Sequence, residues 1–515
     1  MSNQRLHNGL RLLAVCLLSL LPQTVPAQQQ QQQQQVAKNV LFLISDDLNT
    51  LLGCYGARDI QTPNIDRLAK RSVLFRHAYC AFPLCGPSRN SMLTGLYPNS
   101  TGIHANSLIF RQTIPAQISL PQAFRQQGWL AGRIGKLYHY NVPNSIGTDG
   151  HDDPASWELE LNPAGVDRTR EHPLITSLVP NQFGGMLSWH ASQHPDELHT
   201  DALLANDADW VLERCAKRPE RPFFLSVGFF RPHTPYVAPQ SWFDRYPADR
   251  MPVVTGLEKD LQDIPEAALE SQVKAQLSMT EQQKRQARQA YQACISFMDA
   301  QVGKVLDALD RHGLTDKTVI VFTSDHGYHL GEHSLWQKRS LFEESARVPL
   351  LIAAPGFQQG KICESPVSHV DLYPTLTELC GVQPPAGLQG QSLVPMLRDV
   401  TQPGRSWALT QVQRGNAGTN ANSKQPRPDT RYFGYSLRTG RWRYTEWDGG
   451  AKGRELYDHT SDPQELTNLA EQQQHAETVT ELSALLKTAV AGTLPADGKI
   501  PEVQPGVWAP QLLDP

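Results

Sequence analysis

The first strong pattern in the chain is "KNVLFLISDDLN", where Val40 to Ile44 form an unbroken apolar run. A strand buried on both faces reads this way, whereas a half-exposed strand alternates. "TPNIDRLAKRSVLF" follows, with Pro63 suited to a first turn and Ile65, Leu68 and Ala69 at helical spacing. "ISLPQAFRQQGWLAGRIGKLYHY" repeats the theme: a helix, Gly128, a short strand, then a polar loop. "RPFFLSVGFFRPHTPY" is another buried strand running into a Pro-rich loop. The longest helical pattern, "RQARQAYQACISFMDAQVGKVLDALDRHG", closes at Gly313 and feeds "TVIVFTSDHG". "VSHVDLYPTLTELCGV" carries the alternation to about residue 382.

Strands alternating with helices at this spacing predict an α/β fold, a mostly parallel sheet flanked by helices. In such sheets functional groups collect beyond the carboxyl ends of the strands. After residue 400 the texture changes. "NAGTNANSKQPRPD" reads as a surface loop, and "RYFGYSLRTGRWRYTEW" alternates around Thr439-Gly440 as a β-hairpin does. Residues 401–499 are therefore expected to form a smaller α+β domain, with an antiparallel sheet and a terminal helix near 475–491. The Pro-rich tail, 500–515, shows no fold of its own.

The start of the chain is a different material. Arg5 and Arg11 precede "LLAVCLLSLL", and "PQTVPA" ends in a small-residue spacing that predicts a signal peptide over 1–27, cut after Ala27. The apolar run is well short of the ~20 residues a membrane span needs. A lipoprotein signal at Cys16 is the alternative, disfavoured by the bulky Val15. Gln28 to Gln35 are eight consecutive glutamines, so 28–37 is expected to be a disordered tether before a catalytic domain at 38–400. The expected location is the periplasm or the medium, with no stable membrane insertion. Across 515 residues the formal net charge is only -4, which gives no basic surface for nucleic acid. Without Cys16, seven scattered cysteines remain, and their spacing suggests neither a zinc knuckle nor a dense disulfide scaffold.

Candidate chemistry sits where the topology predicts it. Asp46 and Asp47 follow the first buried strand, and Asp325 and His326 follow "VIVFTS". Adjacent carboxylates repel unless a cation neutralises them, so the four suggest one divalent-metal site; helix capping by Ser45, Asp47 and Ser324 is the competing explanation. In "FPLCGPSRNSMLTG", Pro87 suits the first turn of a helix beginning near Ser88. Cys85 is then either an anion-facing group at a helix N-terminus or a buried structural thiol. Lys136 and His139 in "GKLYH", His233 in "RPHTPY" and Lys338 in "QKRS" are each unremarkable alone. Together with Arg89 they form a basic complement to the aspartates, as an oxyanion ester requires.

The stretch Cys85-Gly86-Pro87-Ser88-Arg89, with Leu93-Thr94-Gly95 downstream, resembles the type I sulfatase signature C-x-P-S-R with its following L-T-G. The resemblance runs from about residue 38 to at least 470. It is nearest to the iduronate-2-sulfatase branch through "NVLFLISDDL", "TPNIDRLA", "RPHTPY" and "FTSDHGYHLGEH". It implies an alkaline-phosphatase-like core, with "ELYDHTSDPQELTNLA" marking the C-terminal domain. It further implies that a maturation enzyme oxidises Cys85 to formylglycine (3-oxoalanine), whose hydrate attacks sulfur. Asp46, Asp47, Asp325, His326 and the modified Cys85 would hold one calcium ion. Asp325 would help to activate the hydrate, which Arg89 would hold. Lys136, His139, His233 and Lys338 would surround the sulfate, with His233 protonating the departing alcohol and His139 assisting sulfate release.

The expected substrate is a sulfated saccharide, with the resemblance suggesting a 2-O-sulfate on a uronic acid or related sugar. Specificity is expected from 143–200, 236–280 and 411–430, with Asp149, His151, Asp152, Asp153, Trp157, Arg414, Lys424 and Arg427 as candidates. A phosphomonoester, phosphodiester or phosphonate hydrolase on the same core is the alternative enzyme. A catalytically inactive glycan-binding protein is the alternative outside enzymes.

Overall fold

Strand β1 (Asn39–Ser45) is buried along its whole length and explains the architecture around it. Leu41 and Leu43 point into one hydrophobic cluster, while Val40, Phe42 and Ile44 point into another. Two apolar layers are thus needed, and the unbroken run in the sequence supplies one residue set to each. The computed structural model of the protein describes residues 37–416 and 429–504. The leader, the glutamine tract, residues 417–428 (with Lys424 and Arg427) and the end of the tail lie outside the described residues.

The central sheet adds β2 (Val73–Phe75), β3 (Leu130–Gly135), β4 (Leu159–Leu161), β5 (Phe223–Phe229), β6 (Thr318–Ser324), β7 (Leu350–Ala353) and β8 (Lys361–Cys363). Its order is β8-β2-β7-β6-β1-β5-β3-β4. Only β7 runs against the rest. Three helices cover one face: α1 (Pro63–Ala69), α4 (Thr200–Ala216) and the 31-residue α5 (Glu281–Arg311). The other face carries α2 (Cys85–Thr94), α3 (Leu120–Gln126) and α6 (Leu372–Cys380). Helix α5 begins four residues before the pattern suggested, because Thr280 and Gln283 form a reciprocal capping box.

The C-terminal part is an antiparallel sheet in the order β9 (Trp407–Arg414), β10 (Tyr432–Thr439), β11 (Trp442–Trp447) and β12 (Arg454–Asp458). Helix α7 (Ala476–Ala491) lays Leu482, Leu486 and Ala489 against Leu437, Tyr444 and Leu456 of that sheet. Parallel β1, β5 and β6 end together, in register at Ser45, Phe229 and Ser324. Asp46, Asp47, Asp325, His326 and the loop carrying His233 therefore leave the sheet side by side.

Candidate active site

Asp46 and Asp47 emerge from β1, with Asp47 in the left-handed region at φ 63°. That cost is held by neighbours: the Tyr291 hydroxyl donates to the Asp47 carbonyl at 2.8 Å, and the Asp47 amide donates to Asp325 Oδ1 at 3.1 Å. The His326 amide donates to the same Oδ1 at 3.0 Å. Helix α2 starts at Cys85, one turn earlier than expected, with extended Leu84 as its N-cap. Pro87 is thus the third helical residue, where its missing N–H still costs no helical bond.

The signature residues have physical tasks. The Ser88 hydroxyl donates to the Asp325 carbonyl, tying α2 to the end of β6. Arg89 is fully buried and spends its guanidinium on four acceptors. Nε meets Asp325 Oδ2 at 3.0 Å and Nη2 meets Asp46 Oδ1 at 2.9 Å, while Nη1 reaches the carbonyls of Lys136 and Leu137 at 2.9 and 3.0 Å. Thr94 bonds back to the Asn90 carbonyl at 2.6 Å, and Gly95 ends the helix at φ 68°. Lys136 Nζ takes the second oxygen of Asp46 at 2.6 Å. Lys338 Nζ lies 2.6 Å from Asp47 Oδ1 and 3.0 Å from Cys85 Sγ.

Burial alone would lift these carboxyl groups. Instead, Lys136, His233 and Arg89 hold Asp46 below the usual carboxylate range. His233, Lys338 and His326 do the same for Asp47, and Arg89 and His326 for Asp325. Three buried anions are therefore held by the positive groups around them. Burial lowers the pKa of His326 despite the pull of Asp325. Its Nδ1 donates to the Gly327 carbonyl at 2.9 Å, and its Nε2 faces Cys85 Sγ at 3.4 Å and Asp47 Oδ1 at 3.3 Å.

These groups fit a hard divalent cation. Asp47, Cys85, Asp325 and His326 each present a ligand atom within 4.8 Å of the others, all buried. Asp47 Oδ2 is buried with no hydrogen-bond partner, an orphaned anionic atom that a cation would satisfy. Asp46 stands slightly apart, grouping with Asp47 and His233, because Arg89 and Lys136 already hold both its oxygens. His233 Nε2 lies 3.7 Å from Asp47 Oδ2.

Above this floor opens a cavity of about 270 Å³, lined by His139, His233 and Lys338 among others. His139 Nδ1 is buried without a partner, and burial with the charge of Lys136 depresses its pKa far below the ordinary value. Of the catalytic and metal-binding residues expected from the sequence, Asp46, Asp47, Cys85, Asp325 and His326 thus cluster at the strand ends, Arg89 and Lys136 bond to that cluster, and His139, His233 and Lys338 line the cavity. Sequence reasoning missed Asn106, whose Oδ1 takes the Gly86 amide at 2.8 Å while the residue lines the cavity. It also missed Asp201, whose two oxygens accept the Phe230 and Arg231 amides at 2.9 and 3.0 Å and so fix the loop to His233.

Several loop candidates are structural. Asp152 pairs with Arg133 and accepts from Trp157, Asp153 pairs with Arg111, and Asp149 accepts from Asn162. Of that first loop set, His151 remains near the site, its ring centroid 6.0 Å from that of His139. The six other cysteines among the described residues are free thiols.

A buried Asp-Asp-Cys-His cluster at the ends of parallel strands, on this fold, defines a hydrolase of oxyanion esters. The sulfatase family profile matches residues 38–382, and the chain belongs to that family. It is a sulfuric ester hydrolase. A second profile, described as N-sulphoglucosamine sulphohydrolase, C-terminal, matches residues 331–491, a span that includes β7, β8 and α6 of the core as well as the antiparallel sheet and α7. A sulfatase of Formosa agariphila is 34% identical, with 87% of this chain and 86% of that protein covered. The iduronate 2-sulfatase of Mus musculus is 30% identical (85% and 92% covered), and the choline-sulfatase of Rhizobium meliloti is 32% identical (84% and 82%). A phosphonate monoester hydrolase structure from Agrobacterium radiobacter shares the fold, with TM-score 0.70 at 24% identity over 90% of this chain and 99% of that one. The relatives span sugar and non-sugar sulfates, so they establish the family rather than its iduronate branch.

Proposed function

We propose that the protein removes a sulfate ester from a sulfated saccharide, specifically a 2-O-sulfate on a terminal uronic acid or related sugar. The carrying observation is the buried Asp47-Cys85-Asp325-His326 cluster, with its orphaned carboxylate oxygen, under a cavity large enough for a monosaccharide. Calcium is the proposed cation, since three carboxylates dominate the donor set. Asp46, Asp47, Asp325, His326 and residue 85 would hold it. When present, calcium supplies Lewis-acid charge, and the formylglycine made from Cys85 supplies the nucleophilic hydroxyl.

The remaining work belongs to the chain. Arg89 fixes two of the three anions and so sets the spacing of the site. Lys136 and Lys338 hold positive charge beside Asp46 and Asp47, where a sulfate would replace part of their coordination. His233, on the cavity wall, delivers a proton to the departing alcohol, with Lys338 alongside. His139, on the same wall, is placed to assist sulfate release.

The test is a panel of defined sulfated mono- and oligosaccharides, with choline and aryl sulfates included, measured by sulfate release and NMR of the product linkage. Release confined to 2-O-sulfated uronates supports the assignment. Exclusive 6-O-desulfation, or activity confined to non-sugar sulfates, removes it. Aryl phosphate beside aryl sulfate separates the phosphoester alternative. We further propose export to the periplasm or medium by the 1–27 leader. N-terminal sequencing of protein from its native source should begin at Gln28, and a cytosolic chain retaining Ala27 contradicts that. No helix among the described residues is long and apolar enough to cross a membrane.

A further inference from the structure

The segment Gln337-Lys338-Arg339 places three consecutive residues on the wall of one cavity. Consecutive residues of a regular strand would alternate. Here Gln337 and Arg339 both have left-handed backbone, at φ 73° and 74°, on either side of Lys338. Neither is glycine, so the conformation costs energy that the surrounding structure must hold. Part of that support is Arg414, whose Nη2 donates to the Arg339 carbonyl at 2.7 Å while its Nε donates to the Ala267 carbonyl at 3.0 Å.

The Lys338 ammonium has partners in Asp47 and Cys85, and the Arg339 guanidinium has none among the described residues. No carboxylate pairs with the Arg339 guanidinium among the described residues, although it lines the same cavity. The contrast with other arginines is consistent. Burial opposes the charge on Arg89, Arg133 and Arg443, yet adjacent carboxylates raise all three above the usual value. Arg339 is exposed at the cavity wall, and with no anion beside it the desolvation it does suffer lowers its pKa from the usual value. Nearby, Gln337 Nε2 and the Ser271 hydroxyl also line the cavity and are buried without partners. A planar cation and two neutral hydrogen-bonding groups thus lie at one cavity without side-chain partners among the described residues.

We propose that Arg339, Gln337 and Ser271 form a second subsite beside the sulfate pocket, which receives the carboxylate and a hydroxyl of an anionic sugar ring. The proposal rests on the sulfate-ester reading of the same cavity and adds what recognises the rest of the substrate. Arg339 is the specificity residue, matching a carboxylate through its planar fork. Arg414 is a positioning residue that acts through the Arg339 backbone.

The test compares full-length, formylglycine-converted, calcium-loaded enzyme with Arg339→Gln and Arg339→Lys. Each is assayed on a 2-O-sulfated uronate and on its carboxyl-reduced neutral analogue. Arg339→Gln should raise KM for the uronate by roughly tenfold to a hundredfold with kcat little changed, and leave the neutral analogue unaffected. Arg339→Lys should recover part of the loss. Equal loss on both substrates, or no loss on the uronate, overturns the subsite. Calorimetry with free uronic acid against the neutral hexose gives a readout that does not need turnover. If no sulfate ester is hydrolysed but the acid binds in an Arg339-dependent way, the functional reading fails and the subsite stands. If sulfate is released yet acid and hexose bind alike, the subsite fails and the sulfatase reading stands.

Discussion

Two of the clusters of buried charge among the described residues differ in how completely their atoms are spent. At the junction of the core with the C-terminal sheet, both Glu343 oxygens accept the Tyr79 hydroxyl, and Oε2 also takes Arg443. Glu465 Oε1 accepts Arg443 and His459, the latter at 2.8 Å, and Oε2 accepts the Glu343 amide at 2.8 Å. Each oxygen of both glutamates has a donor. Beyond the ends of β1, β3 and β6 the accounts stay open: Asp47 Oδ2 and His139 Nδ1 have no hydrogen-bond partner. Glu343, His459 and Glu465 lie close enough together to hold a metal ion. Arg443 already supplies the cation shared by Glu343 and Glu465, so proximity alone does not make a ligand site. A closed network is a strut, and an open one is a place for chemistry.

The sharpest way to break this distinction is Asp325→Asn. The change keeps shape but removes the anion that Arg89, the Asp47 amide and the His326 amide all address. Turnover of every sulfate ester by fully converted enzyme should fall on the order of a thousandfold or more. Near-normal kcat would show that the open cluster is not the reaction centre.

The converse substitution is Arg443→Met in the strut. It leaves Glu343 and Glu465 buried without their shared cation, which should cost about 3–5 kcal/mol in denaturant unfolding. Enzyme that remains folded should keep its kcat, since Arg443 does not line the cavity. Unchanged stability with lost turnover would reverse the roles of the two clusters.

A pH titration sharpens the same comparison at somewhat smaller scale. Burial raises the Glu465 pKa, but Arg443 and His459 outweigh it and hold the group at about 2, below its ordinary 4.5. A depressed carboxyl stabilises the fold above its unfolded pKa and loses that contribution as pH falls through the folded value. Stability worth roughly 3 kcal/mol should therefore disappear between pH 4.5 and 2. The gap between wild type and Arg443→Met should close over that window. A gap that stays constant down to pH 2 would show that Glu465 is not held by Arg443.

Much of the open cluster was legible in the sequence because it is local to strand ends. The run Val40 to Ile44 identified β1, and Asp46 and Asp47 were the first polar residues able to leave it. Asp325 and His326 follow by the same logic from β6. The strut was not legible. Its members come from the 343 region, β11 and the turn after β12, and no spacing relates Glu343 to an arginine 100 residues on. Antiparallel β7 escaped for a related reason, since an apolar run reports burial and not direction. Arg339 escaped because a lone arginine beside Lys338 carries no periodic signal. What distinguishes it is a positive φ and a missing counter-ion, and both are tertiary facts.

The smallest expected effect comes from the framework that joins sheet to site. In β5, Gly228 faces the chain as it leaves β3, and its carbonyl accepts the Lys136 amide at 3.0 Å. A Cβ at Gly228 would lie 1.9 Å from the Lys136 carbonyl oxygen, closer than any real contact allows. That same carbonyl accepts Arg89 Nη1, and the Lys136 ammonium pairs with Asp46. Gly228→Ala must therefore push backbone away from the open cluster, and no flexible side chain can absorb the strain. The overpacking should cost about 1–3 kcal/mol in unfolding, less than breaking the strut. Unlike Arg443→Met, it should also lower kcat in the molecules that stay folded, because Arg89 and Lys136 lose register with Asp46. Denaturant unfolding and kcat on the same preparation test both halves. A variant with full turnover and unchanged stability would mean that the β3 exit has room to move, and that Lys136 is not held where it is by the close approach of β5.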